Sequence, residues 1–152
     1  MLIDIHTFTL LKKTINKDGW LELPASGSSM FPYIQNGNLC RFVPCKPSLL
    51  KKGDVVLYYS QTGQLIAHRF VRTTEVKNQS LLLLKGDTNL AYDQPIEEHW
   101  VLGKLVSVQK KQVMITTDHL IVRIWGELIL SFPFLSGILR SYLNRKLKLH
   151  FN

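Results

Sequence analysis

The stretch KKGDVVLYYSQTGQLIAHRFVR, residues 51–72, decides the fold. A Lys-Lys-Gly-Asp turn opens VVLYY, a β-branched and aromatic run. SQTGQ then separates it from a second run of the same kind, LIAHRFVR. Two such runs joined by a short glycine-containing link read as a β-hairpin. Moving outward, WLELPA and LCRFVP precede this hairpin, while LLLLKGD, VLGKLVSVQK and QVMITT follow it. At about 8–12 residues per strand and turn, the expectation is a mainly β domain. Ahead of it, Ile5, Phe8, Leu11 and Ile15 recur at helical spacing after Asp4, an N-cap candidate. KDG closes that short amphipathic helix.

With 152 residues the chain is long enough for one domain with a real core. A formal charge of +8, from 19 Lys and Arg against 11 Asp and Glu, suits an anionic partner. No zinc-finger spacing or RNP-like aromatic pattern is present, so nucleic acid is not the expected partner. Cys40 and Cys45 lack the second ligand pair that a common metal site needs, and they read as reduced packing residues. No metal or cofactor is expected. The opening residues MLIDIHTFTLLKK lack the basic start and long apolar run of a secretory signal, which points to the cytoplasm.

One loop stands out chemically. ASGSSMFPYIQNGN, residues 25–38, sets small residues and hydroxyls ahead of Met-Phe-Pro and a turn signal. Ser29 is the candidate nucleophile there, and a serine hydroxyl needs a base to take its proton. His68 lies within an apolar strand, unlike the other four histidines, and is the candidate base. Asp87 and Asp93, six apart in LLLLKGDTNLAYDQP, are both candidates to orient it.

SGSSMFPYIQNGN, KKGDVVLYY, AHRFV, LKGDTNLAYD and VLGKLVSV occur in the order and approximate spacing of the type I signal peptidase family. They resemble most its endoplasmic-reticulum-type branch, in which His replaces the Lys of the bacterial and LexA-like enzymes. The likeness covers roughly residues 19–109, in a short form lacking the N-terminal membrane anchor. It implies a signal-peptidase/LexA-like β-sheet fold, with Ser29 as nucleophile, His68 as general base and Asp93 as the orienting carboxylate. Asp87 is then a supporting carboxylate able to take that role instead. Gly27 lets the backbone approach a scissile carbonyl, the Ser29 amide is a candidate oxyanion donor, and Ser26 or Ser28 adds a hydroxyl. The implied activity is a serine endopeptidase that cleaves a leader or signal-like segment from a peptide or protein precursor. The alternatives are a peptide-binding module that does not cleave and a LexA-like self-processing regulator.

From Asp118 the character changes. HLIVRIWGELILSFPFLSGIL is apolar and RSYLNRKLKLHFN is basic, so residues 118–152 read as a helical tail on a peptidase domain of residues 1–117. Three fates are open to this tail. It packs on the domain, it docks on an anionic membrane surface or a partner protein, or it spans a bilayer despite Arg123, Glu127 and Pro133. Docking would make the protein peripheral to the membrane.

Overall fold

Among the described residues, seven strands pair antiparallel in one sheet, and three α-helices accompany it. The structure, a computed structural model, describes residues 1–150; residues 151–152 of the predicted tail lie outside the described residues. Helix α1 spans Ile5–Asp18. The Asp4 carboxylate accepts the Thr7 N–H at 2.7 Å, and Gly19, at φ 81°, closes the helix by donating its N–H to the Ile15 carbonyl. Phe8 and Ile15 are buried as the spacing predicts, whereas Ile5 is exposed.

The strands are β1 Leu21–Pro24, β2 Leu39–Val43, β3 Val55–Tyr59, β4 Leu65–Val76, β5 Gln79–Lys85, β6 Val101–Lys110 and β7 Val113–Thr116. Their order across the sheet is β1-β2-β6-β3-β4-β5, with β7 paired to the end of β6. The 51–72 stretch forms the β3–β4 hairpin, with Val56 opposite His68. Strand β4 runs further than the sequence suggests, and Lys77 and Asn78, both at positive φ, turn it back into β5. At strand β3 both faces of the sheet are buried. Val55 and Leu57 join the core beneath α1 and the serine loop, while Val56 and Tyr58 join a second cluster with Phe70, Leu84 and Val101.

The apolar tail is two helices, not one. Helix α2 spans Leu120–Ser131 and α3 spans Pro133–His150, meeting at a bend of 101°. Proline at the first position of α3 suits a helix start, where no intrahelical N–H is required. Among the described residues, no single helix is long and apolar enough to cross a membrane. Val122 and Ile129 of α2 are buried, and Ser136 of α3 is fully enclosed, so the tail packs on the sheet domain.

Candidate active site

The Ser29 loop leaves β1 and is held from three sides. Ala25 exchanges backbone hydrogen bonds with Asn38 and Gly37, which pinches the base of the loop. Met30, Tyr33 and Ile34 are buried and anchor its far side in the core. Thr88 clamps the middle: its N–H donates to the Ser29 carbonyl at 2.9 Å and its Oγ1–H to the Ser28 carbonyl at 3.3 Å. Gly27, at φ 87°, makes the turn that leaves Ser29 half-buried at the rim of a cleft.

Three distant segments meet in that cleft. The Ser29 hydroxyl lies 2.9 Å from His68 Nε2, 39 residues away in sequence. On the other side of the ring, Nδ1 lies 2.6 Å from Asp93 Oδ2. The carboxylate has no proton to give, so Nδ1–H donates to it, and Nε2 is left bare to accept from Ser29. The Tyr58 hydroxyl donates to the same Asp93 oxygen at 3.0 Å. Burial and the neighbouring Asp93 push the Tyr58 hydroxyl well above its ordinary range, which keeps it a donor. Asp93 is in turn tied back to β5 by its own N–H, which donates to the Leu84 carbonyl.

Asp87 is occupied elsewhere. Its carboxylate takes a bidentate pair from Arg69, at 2.7 Å to Nε and 3.0 Å to Nη2, and a third bond from Trp125 Nε1 at 2.9 Å. Arg69 also donates to the Gly53 carbonyl and lies over the Tyr33 ring. Both charged groups are almost fully buried. Asp87 therefore does not reach His68. It braces the backbone on each side of the site, since Arg69 follows His68 and Asp87 follows Gly86.

Gly86 packs tightly against the imidazole. A Cβ there would stand 2.9 Å from His68 Nε2 and 2.9 Å from the Asn89 side chain. Sequence reading passed over Gly86, Thr88 and Tyr58. The first two sit inside the quoted Lys-Gly-Asp-Thr stretch, and nothing in a single sequence marks Tyr58 apart from its strand neighbours.

The cleft beside Ser29 has a volume of about 300 Å³. Ser26, Gly27 and His68 line it with Leu23, Ala25 and Ala67, while Ser28 stands outside its lining. The Ser29 amide donates to no acceptor among the described residues, which leaves it free for an oxyanion. One wall is an open strand edge. Strand β4 pairs with β5 only from Arg69 onward, so the Leu65–His68 segment has β3 on one side and the cleft on the other. Near its start this edge is already occupied: the Leu65 N–H donates to the Met1 carbonyl at 2.8 Å, and the Ile3 N–H to the Gly63 carbonyl at 2.9 Å. Backbone groups alternate along a strand, so Ala67 turns its N–H and C=O to the same open side as Leu65.

Cys40 also lines the cleft. Burial pushes its thiol up to about 11, which leaves it protonated and a poor nucleophile near neutrality. No group of three or more His, Cys, Asp or Glu suited to a metal ion occurs among the described residues. No family model, curated protein or solved structure matches the chain, so the chemistry of this site rests on its own geometry.

Proposed function

We propose that this chain is a serine endopeptidase that removes a leader or signal-like segment from a peptide or protein precursor. The signal-peptidase type of sheet fold belongs to the same proposal. The observation that carries it is the continuous hydrogen-bond chain from Ser29 through His68 to Asp93 at the rim of an open cleft.

Each group has one task. The Ser29 oxygen attacks the substrate carbonyl carbon while its proton passes to His68 Nε2. Asp93 stabilises the imidazolium that forms, and Tyr58 holds Asp93 in place. The Ser29 amide donates to the carbonyl oxygen as it becomes negative. When the C–N bond breaks, the proton on Nε2 goes to the departing amine and the acyl group stays on Ser29. Water then gives a proton to Nε2 and attacks the ester; as the C–O bond to Ser29 breaks, that proton passes from Nε2 to the Ser29 oxygen, and the acyl group leaves as a carboxylic acid that ionises in water. An extended peptide fits the open wall of the cleft, because Ala67 offers it one N–H and one C=O. Leu23, Ala25 and Ala67 leave room for small side chains next to the reacting carbonyl.

A fluorophosphonate probe tests the chemistry directly. The wild-type chain should be labelled at Ser29, and Ser29→Ala should remain folded and unlabelled. Cleavage of candidate leader peptides, followed by mass spectrometry, separates a peptidase from a module that binds without cutting. Equal labelling of Ser29→Ala would sink the reading.

A further inference from the structure

Helix α2 has two apolar faces, and only one of them is used. Val122, Gly126 and Ile129 are buried against the sheet domain. About a half-turn around the helix, Leu120, Ile121, Ile124 and Leu128 form a second stripe, with Ile121 79% exposed and Leu120 69% exposed. Arg123 and Glu127 fall to the side of this stripe, where Glu127 pairs with Lys52. Beyond the bend, Phe132, Phe134 and Ile138 are exposed too, and the two phenylalanine rings touch edge to face at 5.9 Å. At the other end, Ile121 opens onto an apolar hollow of about 440 Å³ shared with Val113 and Met114 of β7. Those two side chains are exposed as well.

The remainder of α3 supplies charge of one sign. Arg140, Arg145, Lys146 and Lys148 are all exposed, and no acidic residue occurs between Pro133 and Lys148. Exposed apolar side chains beside a helix whose charges are all cationic are the arrangement that meets acyl chains and lipid phosphates together.

We propose that the exposed faces of α2 and α3 dock this protein on the surface of an anionic phospholipid bilayer. The helices lie in the interface and do not cross it. Helix α2 has 12 residues, about 18 Å at 1.5 Å per residue, against a hydrocarbon core of about 30 Å. Its other face cannot turn to lipid, because Trp125 is bonded to buried Asp87 and Ile129 is enclosed. The docking stands independently of the peptidase reading. It has a geometric consequence for that reading all the same: Tyr142 of α3 stacks on Phe31 at 5.8 Å, two residues from Ser29. A bilayer that holds α3 therefore holds the serine loop close to its surface.

Co-sedimentation of the full chain with phosphatidylcholine–phosphatidylserine vesicles tests the proposal, with circular dichroism to verify folding of each variant. The chain should bind these vesicles, bind pure phosphatidylcholine more weakly, and release as salt rises. Ile121→Glu with Ile124→Glu, and separately Arg145→Glu with Lys146→Glu and Lys148→Glu, should each lower partitioning about tenfold or more while melting like the wild type. These side chains are exposed, so their loss leaves the core intact. Absence of vesicle binding by the full chain, or binding that neither variant weakens, overturns the proposal. So does resistance to alkaline carbonate extraction, which marks a span. A concentration-dependent dimer that ignores vesicles and is abolished by the Ile121/Ile124 variant would assign the face to a second copy instead.

Discussion

Two aspartates six residues apart carry opposite kinds of work, and substitution separates them. The Asp93 carboxylate bonds to His68 and Tyr58, so Asp93→Asn keeps the shape and loses the charge beneath the imidazole. Peptide turnover should fall by about 10³–10⁴-fold with little change in melting temperature. Asp87→Ala instead leaves the Arg69 guanidinium buried without a counter-charge, a loss of about 3–5 kcal/mol seen in denaturant titration. A stable Asp87→Ala with no turnover beside an active Asp93→Asn would reverse these roles. Gly86→Ala tests the same site by sterics. The imidazole is held at both nitrogens and has no room to retreat from a new methyl group at 2.9 Å. Fluorophosphonate labelling of this variant should slow at least tenfold, about 1.4 kcal/mol in the barrier, while the fold persists. Iodoacetamide near neutral pH should spare Cys40 in the folded chain, since the raised thiol pKa leaves little thiolate. Rapid alkylation that blocks peptide turnover would make Cys40 a rival to Ser29.

At the scale of elements, the open edge of β4 is shared between the N-terminal segment and the cleft. Met1–Ile3 lie along Gly63–Leu65, in line with the free backbone groups of Ala67. A long extended substrate that uses the whole edge must displace them. Removing residues 1–3 should therefore lower KM for long peptides and leave the labelling rate of a small fluorophosphonate unchanged; a raised KM would show that the segment helps to bind substrate. The strands themselves were legible because each is a short apolar or alternating run between turn residues, as VVLYY and VLGKLVSVQK illustrate. The occupied β4 edge was not, because pairing between residues 1–3 and 63–65 is a tertiary event with no local signature. The break at Phe132 was half legible. Pro133 was visible in the apolar run, but one long run fits one helix or two until packing decides.

For the whole molecule, the tail of residues 118–152 supplies partners for polar groups buried in the sheet domain. Ser29, His68 and Asp93 were legible as residue types in three separate segments. Which aspartate faces His68 was not, because both lie in one loop and the choice is made by partners that single-sequence reading cannot place. One of those partners comes from the tail: Trp125 caps the Asp87 carboxylate that holds Arg69. A second tie joins the enclosed Ser136 hydroxyl to the Lys85 ammonium at 3.0 Å. Burial lowers the Lys85 pKa, so that ammonium is costly to keep charged without the polar partner α3 provides. Deleting residues 118–152 removes both ties, together with the buried Val122 and Ile129 side chains. The two aliphatic groups alone are worth about 3–6 kcal/mol, and the bond to Asp87 adds about 1.5–3 kcal/mol. That sum approaches the whole stability of a small domain, about 5–15 kcal/mol. The truncated chain should therefore be insoluble or unfolded and should not react with a fluorophosphonate. Trp125→Phe keeps the ring but drops the bond, and should cost about 1–3 kcal/mol in denaturant titration while Ser29 remains reactive. If the truncated chain instead melts cooperatively and labels at the wild-type rate, the tail is an appendage and the buried ties to Asp87 and Lys85 are dispensable.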